Sequence, residues 1–199
     1  MPHPDLSAAR RPATMAEAKA LASAIRLRIL RLCLDEALTN KEIAARLDAN
    51  PATILHHVRT LVATGFLVAE EERRGTRGAR EVPYRATGKS WTLDVREHKV
   101  VGSGQAMIDA FLDEIAYIDV DNFGPDGSMP ESDLARLGLR LSPKDIDELT
   151  RRISEILQEF ANRPPDMKDG IPYSVFLAIY RDVTRDTPDA RPIRARKAS

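Results

Sequence analysis

The sequence predicts an α+β chain: an N-terminal helical domain closed by a β-hairpin, then a helical segment and a small α/β C-terminal unit. Three observations carry this. Apolar residues recur at three- and four-residue spacing between cap residues up to about Thr64. Two short β-rich stretches then flank an Arg/Gly-rich tip at 73–80. Beyond residue 100, a long amphipathic stretch lies between a stretch of alternating leucines and one rich in β-forming residues. The expected divisions are 1–13, 14–95, 96–186 and 187–199. A chain of 199 residues allows two cores of about 80–100 residues each.

Residues 1–13 hold three prolines and no apolar period, so they are expected to be a flexible arm. A helical pattern starts at Thr14, with Ala16, Ala20 and Leu21 on one side. Ser23 is expected to cap a second helix whose core face is Ile25, Ile29, Leu30 and Leu32 to Leu34. Thr39-Asn40-Lys41-Glu42 reads as a capping box, Thr at N-cap and Glu at N3. It opens a short helix with Ile43, Ala44 and Leu47 inward. After the turn Asp48-Ala49-Asn50, Asn50 caps a fourth helix and Pro51 stands at N1, where its missing N–H costs nothing. Gly65 stops that helix. Phe66 to Ala69 then reads as a strand, returning through Val82, Tyr84 and Ala86.

In the second half, residues 100–118 predict a helix with Ile108, Phe111, Ile115 and Ile118 as its apolar stripe. Residues 122–133 are loop-like. Leu137, Leu139 and Leu141 alternate with polar residues or glycine, as in a half-buried strand. Ser142-Pro143 starts a long helix with Ile146, Leu149, Ile153, Ile156, Leu157 and Phe160 on one stripe, ended by Arg163-Pro164-Pro165. Tyr173 to Tyr180 is apolar on both faces and reads as a buried strand, completing a βαβ-like unit. The final dozen residues are expected to form a basic disordered tail.

Net charge is zero, but residues 1–95 hold 15 Lys/Arg against 11 Asp/Glu, and the remainder 15 against 19. The basic first half suits a polyanionic partner. The sequence has no run of 18 apolar residues and no secretory apolar core near its start, so neither a membrane partner nor export is expected. The lone cysteine, Cys33, has no internal disulfide partner and fits a reducing, cytoplasmic setting.

The run A-I-R-L-R-I-L-R-L-C-L, then T-N-K-E-I-A-A-R-L, then N-P-A-T-I-L-H-H-V-R-T-L-V-A-T-G-F-L-V, then an Arg/Gly stretch ending V-P-Y-R-A-T, resembles the ArsR-type winged helix-turn-helix regulators over about residues 19–95. The resemblance implies a DNA-binding domain at 14–95, with residues 51–64 as recognition helix and the 73–85 hairpin as wing. It implies double-stranded DNA and a second copy of the chain as partners. Metal-sensing relatives carry paired cysteines in the helix before the turn. The stretch A-L-T-N-K-E-I has none, so no metal or other cofactor is expected.

The helical wheel agrees independently. With Ile54, Val58 and Leu61 buried, an advance of about 100° per residue turns Ala52, His56, Arg59 and Ala63 outward, flanked by Leu55 and Thr60. Ala52 and the Thr53 methyl suit thymine methyl groups, and Arg59 suits guanine or a phosphate. No acidic residue lies between Asn50 and Gly65, as a phosphate-facing surface requires. Wing residues 73–85 hold Arg73, Arg74, Arg77, Arg80 and Arg85 against Glu81, although Glu70 to Glu72 stand close by to neutralise them. Thr39 and Asn50 complete the expected DNA-contacting set. His57 is expected to be structural, and Cys33 a small core residue.

The helix at 100–118 is expected to join two protomers through Ile108, Phe111, Ile115 and Ile118, giving a homodimer suited to a palindromic operator. A small-molecule effector stays open as a further partner. No nucleophile–base pair, G-x-S-x-G or H-E-x-x-H occurs, so an enzyme is not expected. Two other readings stay open: a winged helix used for protein–protein contact, and a hydrolase with a C-terminal site.

Overall fold

The computed structural model describes residues 11–74, 80–94, 100, 102–118 and 137–186. The chain divides into two units, Met1–Pro165 and Asp166–Ser199.

The first unit opens with β1 (Arg11–Pro12), α1 (Met15–Leu21) and α2 (Ala24–Leu32). β2 (Leu38–Thr39), α3 (Asn40–Arg46) and α4 (Pro51–Ala63) follow. Then come β3 (Leu67–Ala69), β4 (Arg73–Arg74), β5 (Arg80–Glu81) and β6 (Pro83–Ala86). A 3-10 turn (Lys89–Thr92) leads into β7 (Leu93–Asp94), and α5 (Ser103–Ile115) and α6 (Pro143–Ala161) complete the unit.

Local chemistry sets these boundaries. Thr14 and Thr39 each accept from the N3 amide, at 3.2 and 3.3 Å, while Glu17 and Glu42 accept from the cap amides at 2.7 Å. Each such cap contributes on the order of 1 kcal/mol. Helix α4 ends in a Schellman closure: Gly65 sits at φ 72°, and the Phe66 amide donates to Leu61 O at 2.8 Å. Helix α3 closes the same way through Asp48 at φ 48°, with the Ala49 amide donating to Ala44 O at 2.9 Å. A short polar side chain tolerates this left-handed geometry better than a bulky one would. The Asp48 bend turns the chain from α3 into α4.

The sheet order is β2-β6-β3, antiparallel throughout, with Leu38 opposite Tyr84 and Val68 opposite Arg85. Strands β4 and β5 extend the hairpin, pairing Arg73 with Glu81 and Arg74 with Arg80. One core lies beneath: Ile29, Ile43, Ile54 and Val58 are fully enclosed, and Leu61 and Phe66 complete the layer between α4 and the sheet.

Several expectations are corrected. The arm prediction fails for residues 11–13: β1 runs parallel to β7, and Ala13 is buried in the core and donates to Asp94 O at 2.8 Å. Residues 1–10 lie outside the described residues. In α5 the residues buried are Ala106 and Ala110, whose small side chains let the helix approach α2 closely. The pair is tied by Arg28–Asp113 (3.2 Å) and Arg31–Glu114 (3.5 Å). Phe111 and Ile115 are half-exposed, and Ile108 and Ile118 are exposed.

Residues 137–141 form no strand, and all three leucines are exposed. Helix α6 forms as expected, capped by Ser142 with Asp145 at N3, yet none of its residues is buried. The second unit contains a short helical turn, α7 (Val183–Asp186). Residues 173–180 form no strand, and Tyr173, Val175 and Tyr180 stand exposed. High β-propensity makes a strand only where another edge supplies hydrogen bonds, and no described residue does so here. The expected βαβ-like unit is therefore not formed among the described residues. The loop at 122–133 and the basic tail at 187–199 fall outside them.

Candidate nucleic-acid interface

Helix α4 is held from below by Ile54, Val58 and Leu61, each fully enclosed. Such burial is worth roughly 1.5–3 kcal/mol per side chain. The opposite face carries Ala52, Thr53, His56, Arg59 and Ala63, all exposed, with Leu55 and Thr60 half-buried at its margins. Arg59 has no carboxylate partner among the described residues, so its guanidinium is available to an external acceptor.

Both ends of α4 are anchored. At the N-terminus Asn50 Oδ1 accepts from the Ala52 amide at 2.8 Å, and Asn40 Nδ2 donates to Pro51 O at 2.9 Å. At the C-terminus Lys89 Nζ donates to Thr64 O at 2.6 Å and lies 5.2 Å from the Phe66 ring centroid. The same ammonium meets Glu17 at 2.6 Å, and Glu17 also takes Arg11 at 2.7 Å. Arg11, Lys89 and the Thr14 amide hold the Glu17 carboxyl far below the usual carboxylate range despite its burial.

Thr39 is 3% exposed, and its hydroxyl is engaged in capping α3. It positions α3 and presents nothing outward, which corrects its place in the expected contact set. His57 is half-buried and its Nδ1 has no hydrogen-bond partner among the described residues. Burial first, then Arg26 and His56, push its pKa down, so it stays neutral near pH 7. His56 lies edge-on to it, with ring centroids 5.6 Å apart. Only His56 of the pair belongs to the exposed face.

The wing arginines are largely self-neutralised. Arg73 meets Glu42 at 2.6 Å, Arg80 meets Glu72 at 3.5 Å, and Arg85 pairs with Glu70. Arg74 is exposed and has no carboxylate partner among the described residues. Arg77 lies outside them. The nearby glutamates thus do what their sequence position suggested, with one pairing that local sequence hides: Arg73 reaches back to α3. A second tie, Lys41–Glu81 at 2.8 Å, links the same elements. Sequence reasoning also missed Asn40, Lys89 and Glu17 as residues that fix α4. Of these, only Glu17 left a signal, as the N3 residue of a Thr14 capping box.

Cys33 is enclosed, and burial pushes its thiol up to about 12. Among the described residues no His/Cys/Asp/Glu cluster suited to a metal ion occurs, and no helix is long and apolar enough to cross a membrane.

Residues 21–69 match a family model described as a helix-turn-helix domain. No curated protein matches the chain. Among solved structures, reduced HlyU from Vibrio cholerae is 22% identical over 49% of this chain and 84% of its own, with a TM-score of 0.33. A putative transcriptional regulator, TA0346 from Thermoplasma acidophilum, is 19% identical over 50% and 96%, at 0.34. The adhesin competence repressor AdcR from Streptococcus pyogenes is 14% identical over 69% and 79%, at 0.30. Scores of that size carry no argument about function. The family match stops at the end of β3, so it covers α2, α3 and α4 but not the return strand or the arm. The matched range and the three successive helices α2, α3 and α4 coincide: residues 21–69 are a helix-turn-helix domain.

Proposed function

We propose that the chain is a sequence-specific regulator of transcription that binds double-stranded DNA in the cytoplasm as a homodimer, without catalysis. Each protomer lays α4 in a major groove and its β4–β5 wing along the neighbouring backbone. Ala52, Thr53 and Leu55 face thymine methyl groups, while His56, Arg59 and Thr60 reach base edges or phosphates. Asn50 and the positive end of the α4 dipole suit a phosphate. Arg74 and Arg77 contact backbone or minor groove, and Arg73 and Arg80 reach it once they leave Glu42 and Glu72.

The observation that carries this reading is the acid-free exposed strip of α4, held at both ends and flanked by an arginine-bearing hairpin. Helices that merely cover a core carry mixed charge on their wet face, and this one does not. The homodimer is supported by α5. Its Ala106 and Ala110 face sits on α2, while Met107, Ile108 and Leu112 stand 52%, 45% and 54% exposed, beside the half-exposed Phe111 and Ile115. A second copy covering that face gives an isologous contact and the two-fold axis that a palindromic operator needs. Selection of bound duplexes from a random library by the purified chain tests the reading. Recovery of an inverted repeat with half-sites about one helical turn apart is expected; enrichment of no sequence overturns it.

A further inference from the structure

Helix α6 presents Ile146, Leu149, Ile153, Ile156 and Phe160 at alternating spacings of three and four residues, which is two heptads with every a and d position apolar. No residue of the helix is buried: Ile146, Leu149 and Ile153 are half-buried, and Ile156 and Phe160 stand 56% and 58% exposed. Such a seam on a capped, 19-residue helix is a coiled-coil face without its second strand.

The flanking charges say what the second strand is. With Ile146, Ile153 and Phe160 at a, the g positions are Asp145, Arg152 and Glu159, and the e positions Thr150 and Leu157. A parallel pair sets g against e of the partner, which places Arg152 against Leu157 and satisfies no charge. An antiparallel pair sets g against g. In the register that layers Leu149 on Phe160 and Ile153 on Ile156, Arg152 meets Glu159 of the other copy twice, and Thr150 meets Leu157. Sliding that register by one heptad either way puts Arg152 against Arg152 or Glu159 against Glu159. One arrangement is therefore complementary, and it is self-complementary. Arg152 and Glu159 now make pairs within their own chain, with Glu148 and, just past the helix end, Arg163. Those pairs are solvent-exposed and worth about 0–1 kcal/mol each, so they yield readily.

We propose that α6 pairs with α6 of a second copy as an antiparallel two-stranded coil in this register. It rests on the homodimer proposed above, because two heptads alone hold a coil poorly in water and need the high local concentration that an existing dimer supplies. An antiparallel pair has its own two-fold axis, so it can share the axis of that dimer.

The test is disulfide trapping in the full-length chain. Leu149→Cys combined with Phe160→Cys places the two thiols on facing layers of opposite copies. Within one helix they are about 16 Å apart and cannot bond. Mild oxidation is expected to give a covalent dimer with the double variant and none with either single variant. Cys33 is enclosed and takes no part. Covalent dimer from Leu149→Cys alone overturns the antiparallel register. No covalent dimer from the double variant, while sedimentation still shows a dimer, overturns the α6 pairing and leaves the homodimer standing, with another segment of the chain or another protein covering α6. A monomer by sedimentation overturns both. In a second arm, Arg152→Glu and Glu159→Arg are each expected to weaken dimerisation roughly tenfold, and the double reversal to restore it. A double variant no tighter than the singles overturns the pairing. Since α6 contributes nothing to the core, unchanged melting of these variants confirms that the fold is intact.

Discussion

Glu42→Gln should steepen the salt dependence of DNA binding, by an amount the ion pairs fix. Two cations of the proposed interface, Arg59 and Arg74, have no carboxylate partner among the described residues, so a dimer brings four. At about 0.9 counterions released per phosphate neutralised, they give a slope of log K against log salt near −3.6. Arg73 adds nothing while it keeps its 2.6 Å contact with Glu42. Glutamine at position 42 removes that competing charge and still serves as the N3 partner of Thr39 in the capping box, so the helix start survives. With Arg73 free in both protomers, six cations act and the slope should approach about −5.4. Contacts by Arg77 would steepen both slopes alike and leave the difference near 1.8. Fluorescence anisotropy on the selected operator across a salt series measures it, with a thermal melt of the free protein as the control. A flat wild-type slope would remove phosphate contact altogether. Equal slopes for the two proteins would mean that Arg73 does not reach the backbone.

Three further outcomes follow from the same contacts. Arg59→Ala and His56→Ala should weaken operator binding more than binding to random duplex, whereas Arg77→Ala should weaken both by similar factors; competition titrations with the two DNAs compare them. Ile54→Ala removes a fully enclosed side chain from beneath α4 and should cost about 2–5 kcal/mol, seen as a melting point lower by at least about 8 °C. Glu17 has its folded pKa depressed, so its contribution is present above the unfolded value of 4.5 and is lost as pH falls below it. Glu17→Gln should therefore cost about 1–3 kcal/mol at pH 7, and the gap from wild type should close as the solution is acidified. Parallel stability curves for the two proteins would refute the assignment.

The N-terminal domain was legible because its determinants are local. The Thr39/Glu42 cap, Pro51 at N1, the Ile54/Val58/Leu61 stripe and the Gly65 stop all act within one or two helical turns, and each is found where the spacing put it. The arm was misread because its order comes from β7, about eighty residues away in sequence, through a parallel pairing that no local pattern encodes. The Arg73–Glu42 contact was missed for the same reason. Leu137 to Leu141, by alternation, and Tyr173 to Tyr180, by composition, show the opposite failure: each carries a strand pattern, but a strand is a property of two segments. In α5 the periodicity was correct and the packing face was not. Hydrophobicity alone ranks Ile108 and Phe111 above Ala106 and Ala110, while close helix approach favours the alanines.

The anchoring of α4 bears on how binding can be regulated. Its N-terminus is fixed through Asn40 to α3 and its C-terminus through Lys89 to the Glu17 node, which also gathers Arg11 beside β7 and the start of α1. Any tilt of α4 within its own domain must open the enclosed Ile54, Val58 and Leu61 layer and break contacts at both ends together. Each contact costs on the order of 1 kcal/mol or more to lose, so the combined change is as large as a typical allosteric coupling free energy or larger. The exposed faces of α5 and α6 carry no such constraint. In the proposed dimer, a ligand or partner that alters DNA affinity would therefore act more readily on the spacing between the two protomers than on the tilt of α4 inside one. A signal that works this way should change dimer geometry or dimer affinity while leaving the melting of the helix-turn-helix domain unchanged.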